Sequence, residues 1–196
     1  MYKNCFKRVI GLVLAIIAFP LFLLAACPIA ISILIEDGRP IFYKGSRLGK
    51  GMHEFKMIKF RSMIVDAPDI RNEDGSTFNA EDDPRLTRVG KFIRKTSLDE
   101  LPQLLNIIVG DMAWIGPRPS PLGNIDKYPC FYLKKFDVAP GLTGYTQAKF
   151  RNRATMDERM ENDVYYVDNI SFFLDLKIVF WTIKTVLLRE GVYRDK

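Results

Sequence analysis

The stretch from Arg94 to Pro102, Arg-Lys-Thr-Ser-Leu-Asp-Glu-Leu-Pro, places two adjacent carboxylates, Asp99 and Glu100, behind a run of cations. Arg85, Arg88, Lys91, Arg94 and Lys95 crowd what reads as the same helix end. Paired carboxylates among phosphate-sized cations suit phosphoryl chemistry: one attacks phosphorus while the other holds a metal or takes a proton. Successive helical residues point about 100° apart, so the two would take different roles. A nucleophilic aspartate must be ionised at neutral pH, and a helix N-terminus with arginines nearby is expected to lower the pKa of both groups. A second reading fits the same letters. Ser97 followed by Glu100 ahead of an apolar run is a capping box, in which both side chains only start a helix. Pro102 counts against it, because proline has no N–H for the carbonyl of Leu98, and local rules tend to be broken at functional sites.

Other cations join the candidate set. Arg118 is fixed between Pro117 and Pro119, Arg151 and Arg153 follow a turn at Pro140-Gly141, and Lys59 and Arg61 end an alternating stretch. The arginine fork suits phosphate oxygens, while Arg153 and Lys95 read as solvated charges. One histidine, His53, and three scattered cysteines, Cys5, Cys27 and Cys130, exclude zinc modules, disulfide scaffolds and two-histidine mechanisms. A hard cation held by oxygen, most simply Mg²⁺, is the natural metal. The 196 residues carry 29 Lys and Arg against 23 Asp and Glu, a net charge of +6 with a pI near 9.2. A hydrophobic share of 48% excludes wholesale disorder. A mean hydropathy of −0.01 excludes a multispanning membrane protein. Basic residues are interleaved with acids and no aromatic-basic motif occurs, so no nucleic-acid partner is expected.

The elements that must position these residues follow from periodicity. Two short strands are predicted within Arg39 to Phe60, and the polar stretch from Asp66 to Asp83 reads as a surface loop and a variable lid. Helices are predicted over 85–95, over 97–109 with Gly110 as C-cap, over 155–169 and over 171–188. A short strand is expected from Leu142 to Ala148. In the last helix Phe172, Phe173, Leu176, Phe180 and Ile183 share one face, but Asp175, Lys177 and Lys184 interrupt the run. It reads as a helix lying at a membrane interface, with a core-facing helix as the alternative.

Val9 to Ile35 carries no charge and would form a helix of roughly 40 Å, longer than a hydrocarbon core of about 30 Å. A lipoprotein signal ending at Leu24-Ala25-Ala26-Cys27 is one reading, opposed by the apolar run that continues past Cys27. A single span and a re-entrant hairpin are the others. Pro20 lies near the middle, where it serves a kinked span as well as a hairpin; the hairpin reading rests on Lys3, Lys7 and Arg8 before the run matching Arg39, Lys44, Arg47 and Lys50 after it, which would put both ends on the cytoplasmic face.

The chain resembles the small monotopic phosphoglycosyl transferases, the bacterial sugar transferases that prime glycan assembly on a lipid carrier. The matching segments are Phe55 to Met63, Asp83-Pro84-Arg85, Ser97 to Leu105, Gly110-Asp111-Met112, Gly116 to Pro119, Pro140 to Gly144 with Gln147, Asp163-Val164-Tyr165-Tyr166 and Asn169 to Lys177, in the family's order. The resemblance implies an α+β, mainly helical protein: a re-entrant membrane helix broken at Pro20 over residues 1–35, and a small cytoplasmic-face catalytic domain with interfacial amphipathic helices over 36–196. It implies transfer of a phosphosugar from a UDP-sugar to undecaprenyl phosphate at the bacterial inner membrane, with release of UMP. Asp99 would be the nucleophile and a Mg²⁺ ligand, Glu100 would assist the polyprenyl phosphate as a base or by positioning it, and Arg94, Arg118, Arg151 and Lys59 would face phosphate. One departure stands out. Ala148, Lys149 and Phe150 precede Arg151, where many members carry a small or amide residue and glycine. A non-catalytic basic protein at the membrane surface is the competing class, under which Asp99→Asn would change no activity.

Overall fold

The computed structural model describes residues 2–70, 78, 80, 82–151 and 153–188, and over these the chain is mostly helical with two small two-stranded sheets. Half of the loop expected from Asp66 to Asp83 lies outside the described residues, as does everything beyond residue 188. The apolar segment forms one helix, α1, Lys7–Asp37, whose 31 residues extend roughly 46 Å. Among the described residues it is the one helix long and apolar enough to cross a membrane. The helix runs through Pro20 and Pro28, so the expected break at Pro20 is not an interruption of secondary structure. Each proline removes a single N–H, which a long helix tolerates.

One stripe of α1, formed by Ala15, Phe22, Ala26, Ile29 and Ile33, is buried against Phe55, Met57, Phe60, Ile93, Leu104, Ile107 and Met112. Its other face leaves Val13, Ile17, Leu21, Leu24, Ile31 and Ile35 exposed. Both ends are tied to the same body. At the start, Lys7 pairs with Asp175, Arg8 donates to the carbonyls of Ile107 and Ile108, and Trp114 Nε1 donates to Gly11 O at 2.8 Å. At the end, the Glu36 carboxylate accepts the backbone N–H groups of Arg88 and Val89, and Arg61 clasps Asp37 and the carbonyls of Gly38 and Pro40.

Strands β1, Phe42–Leu48, and β2, Glu54–Phe60, pair antiparallel with Phe42 opposite Phe60. Alternation puts Lys59 on the strand face of Phe55 and Met57, which are buried, and so turns it inward. Helix α2, Arg88–Lys95, is capped by Thr87, whose hydroxyl accepts from Gly90 N. Helix α3, Gln103–Val109, ends as expected on Gly110 in the left-handed region. Strands β3, Ala113–Ile115, and β4, Gly141–Thr143, pair parallel, and the crossover between them carries the 3₁₀ segments Leu122–Lys127 and Cys130–Asp137. The strand expected over 142–148 is therefore shorter. It stops where its three-residue partner stops, and α4, Tyr145–Phe150, begins. Helix α5, Met156–Asp168, starts on a full capping box of Thr155 and Glu158, and α6, Phe172–Leu187, starts on Ser171. A second core of Ile115, Ala148, Tyr166, Val167 and Ile178 lies under these helices. Asp175 and Ile178 mark the inward face of α6, while Phe172, Phe173, Leu176, Phe180 and Ile183 are exposed. The aromatic face is thus not the one that packs on the core.

Candidate active site

The two carboxylates ride on a single 3₁₀ turn, Leu98–Glu100, between α2 and α3. Pro102 dictates this. With no N–H available four residues on, the Leu98 carbonyl accepts instead from Leu101 N at 3.2 Å, and α3 begins only at Gln103. The capping box read from Ser97 and Glu100 does not form. Ser97 sits in the left-handed region at φ 60° with no cap bond, and its hydroxyl accepts from Arg151 Nη2 at 3.1 Å. The Glu100 carboxylate accepts from Lys59 Nζ at 2.6 Å and lies 3.6 Å from Arg118 Nη2.

The fold thus gathers Lys59 from β2, Arg94 from the last turn of α2, Arg118 from the Pro-Arg-Pro loop and Arg151 from the end of α4 around the turn that carries Asp99 and Glu100. Arg94 Nη1 is buried and has no hydrogen-bond partner among the described residues, a donor left open beside the dyad. The Pro-Arg-Pro loop reaches the site because Gly116 and Gly141 let two backbones touch. A Cβ on Gly141 would sit 2.1 Å from Gly116 N. Arg151, like Ser97, has a positive φ, 48°, so both partners of their hydrogen bond hold backbone conformations rare for residues with side chains.

Other cations go elsewhere. Arg88 begins α2, whereas the dyad follows the opposite end of that helix. Arg85 is buried on Asp83, Arg61 clamps the exit of α1, and Arg153 is exposed. Sequence reasoning missed Ser97 as the partner of Arg151. It also missed Arg159, which is electrostatically close to Arg118 and Asp163, and the buried Lys135. The Asp163-Val-Tyr-Tyr motif was the only letter-level signal near those last two.

The dyad's electrostatics are split. Burial pushes Asp99, 8% exposed, up to about 6; Lys59 opposes this, Glu100 adds to it, and Arg94 and Arg118 oppose it again. The expected lowering of Asp99 is therefore reversed, because the carboxyl is buried and the helix N-terminus invoked for it lies further on, at Gln103. For Glu100 burial alone would also raise the value, but the charges of Lys59 and Arg118, the Lys59 hydrogen bond and Arg151 together bring it down to about 2. Among the described residues Asp99 accepts no hydrogen bond, so its oxygens are open to a ligand. No group of three or more His, Cys, Asp or Glu able to hold a metal occurs among those residues. A caged metal does not fit. An open carboxylate that shares a hard cation with substrate phosphates and water does, and that is how Mg²⁺ is commonly held.

The profile of the family described as bacterial sugar transferase matches residues 2–189. The chain belongs to that family. It is 39% identical over 191 residues to the UDP-N-acetylgalactosamine-undecaprenyl-phosphate N-acetylgalactosaminephosphotransferase of Aeromonas hydrophila, covering 94% of this chain and 44% of that protein. It is 37% identical over 203 residues to the undecaprenyl-phosphate galactose phosphotransferase of Salmonella typhimurium, covering 97% of this chain and 41% of that protein. Against the exopolysaccharide production protein ExoY of Rhizobium meliloti it is 40% identical over 207 residues, covering 98% and 88%. This sugar transferase thus spans less than half the length of the first two relatives and most of the third.

Proposed function

We propose that the chain is a phosphoglycosyl transferase that moves a phosphosugar from a UDP-sugar to undecaprenyl phosphate and releases UMP, as the first membrane step of a surface glycan. The observation that carries this reading is Asp99: a buried carboxylate that accepts no hydrogen bond among the described residues, set among Lys59, Arg94 and Arg118. Family membership and the names of the relatives support the substrate class.

In the first half-reaction an Asp99 oxygen attacks the sugar-bearing phosphorus. An Asp–O–P bond forms, the phosphoanhydride bond breaks, and its electron pair leaves with UMP. In the second, an oxygen of the polyprenyl phosphate attacks the same phosphorus and the Asp99 carboxylate departs. The bond broken and the bond made are both phosphoanhydrides, so no further energy source is needed. Glu100 is held below the ordinary carboxylate range by the charges of Lys59 and Arg118, so it stands ionised and paired with them, and the lipid phosphate needs little proton transfer. Its part is to hold Lys59 and Arg118 in place until phosphates arrive for them. Asp99 is the residue that would hold Mg²⁺ with substrate oxygens, and the ion would offset charge on the diphosphate.

The ties at both ends of α1 support the same-side topology. Lys7 and Arg8 at its start, and Glu36 and Asp37 at its end, bind one body, while its outer face and that of α6 are apolar and face a bilayer in this reading. Cleavage at Cys27 would strip away the Lys7, Arg8 and Gly11 contacts, which disfavours a lipoprotein. Catalysis then takes place at the cytoplasmic face of the inner membrane.

The test is product analysis with purified protein, Mg²⁺, polyprenyl phosphate and a panel of UDP-sugars, with intact mass after exposure to donor alone. UMP release and a phosphosugar adduct, both lost in Asp99→Asn, are expected. Release of UDP, or an Asp99→Asn variant that still transfers, overturns the reading.

A further inference from the structure

Lys135, in the 3₁₀ segment Cys130–Asp137, is 5% exposed and far from any role its letters announce. Its ammonium lies 3.3 Å from Asp163 Oδ2 and donates to the Tyr132 hydroxyl at 2.7 Å and to the backbone carbonyl of Arg118 at 3.0 Å. Asp163 also accepts from the Tyr132 hydroxyl at 2.9 Å and from Thr146 Oγ1 at 3.2 Å. Three protons on one nitrogen therefore meet three acceptors, and the cluster ties together the crossover, α4 and α5.

The bond to Arg118 is the informative one. Its carbonyl lies between two prolines that have no N–H, so the loop itself offers that oxygen few donors. Neighbouring carbonyls are pinned as well: Pro117 O accepts from Gly141 N at 2.9 Å, and Ser120 O from Leu48 N at 2.8 Å. Lys135 supplies the middle pin, directly behind the side chain that reaches Glu100. Stability alone does not explain a buried ion pair here, since an apolar pair of similar volume is often as stable or more so. The carbonyl it holds does.

We propose that Lys135, anchored by Asp163 and Tyr132, is the positioning residue for Arg118, holding that arginine's backbone so that its guanidinium stays beside Glu100. Where Lys135 acts stands on the geometry; that Arg118 there meets a substrate phosphate rests on the phosphosugar-transfer reading above.

Lys135→Met alone strands a buried carboxylate and is expected to damage the fold, so the informative variant is Lys135→Met/Asp163→Asn, checked by thermal melting. Should it fail to fold, Lys135→Gln/Asp163→Asn replaces it, one bond shorter in reach but polar throughout. Its kcat/KM for the UDP-sugar is expected to fall about 10²-fold, the scale of a misplaced catalytic contact. In an Arg118→Ala background the same double change is expected to add less than about twofold, because its effect runs through Arg118. Equal losses in both backgrounds, or undiminished activity of the folded variant, overturn the proposal. A second measurement needs no turnover. The Arg118 Nε–H NMR signal, assigned by its absence in Arg118→Ala, is expected to shift in the variant, and an unmoved signal overturns the proposal. If the wild-type chain transfers from no donor, the function reading falls while this signal still decides the placement.

Discussion

Asp83 and Asp99 are both buried aspartates close to arginine, and they differ in what holds them. Asp83 is fully enclosed and accepts from Arg85 N at 3.0 Å, Nε at 2.9 Å and Nη2 at 2.7 Å. Those bonds from Arg85 hold its pKa below the ordinary value despite burial. Arg85 in turn reaches the carbonyls of Pro68 and Phe78, so the pair fastens the segment ahead of α2. Asp99 has charges around it and no donor on it, and burial drives it the other way. The lesson is physical. A buried carboxylate with its lone pairs occupied is an element of architecture, whereas one left open in a ring of cations is poised for a ligand that brings its own oxygens or metal.

The sharpest way to break this contrast is to neutralise each aspartate in turn. Asp99→Asn is expected to lower transfer by about 10⁴-fold or more, the scale seen when a nucleophile is removed. Its thermal midpoint at neutral pH should be unchanged or higher, because a charge is no longer buried. Asp83→Asn should do the reverse. It costs about 3–5 kcal/mol in a denaturant melt by leaving Arg85 buried without its counter-ion, while the folded fraction keeps its kcat. A stable, inactive Asp83→Asn would erase the distinction. Glu100→Gln, which lets go of Lys59 and Arg118, should lower kcat/KM by about 10²-fold, the scale of misplaced contacts, with little change in melting.

Next in size is the pH dependence. Asp99 must be ionised to attack, so kcat/KM for the donor should rise through a midpoint near pH 6 and level off above it. Stability moves oppositely for the two aspartates. Native Asp99 keeps its proton to higher pH than the unfolded chain, so its contribution is greatest in acid and falls between about pH 4 and 6. Asp83, held below its ordinary value, contributes above about pH 4 and loses that contribution as the pH drops further. Because Lys59 is the largest charge opposing the rise of Asp99, Lys59→Met should move the acid limb upward by about one unit. An acid limb that stays put in that variant would detach Lys59 from the dyad.

Much of this was readable in the letters. Helical periodicity located α2, α3, α5 and α6, and Gly110 ends α3 where a glycine C-cap should. The dyad and the four cations expected to face phosphate do converge: Lys59 lies on an inward strand face, Arg94 and Arg151 at helix ends, and Arg118 on the stiff Pro-Arg-Pro loop. What stayed hidden was set by long-range contact. Lys134-Lys135 looks like surface until Asp163 and the Arg118 carbonyl are brought to it, and a three-residue strand such as β3 has no periodicity to show. The reversal at Asp99 has the same origin, since burial depends on packing that neighbouring letters do not reveal.

Ser97 offers the smallest and most discriminating change. Its hydroxyl accepts from Arg151 while its backbone sits at φ 60°, so two substitutions separate what it bonds from how it bends. Ser97→Ala removes the hydroxyl and keeps the strain; Ser97→Gly removes both. Loss of one hydrogen bond to a charged partner, about 1.5–3 kcal/mol when buried and less where solvent reaches it, should reduce kcat/KM by roughly tenfold in either variant. Melting should instead distinguish them, with Ser97→Gly more stable than Ser97→Ala by about 1 kcal/mol, since only glycine adopts the left-handed region without penalty. If the hydroxyl holds Arg151 in place, activity tracks its loss and ignores the strain. If Ser97→Gly regains activity along with stability, the bent backbone rather than the bond is what the dyad turn requires of this position.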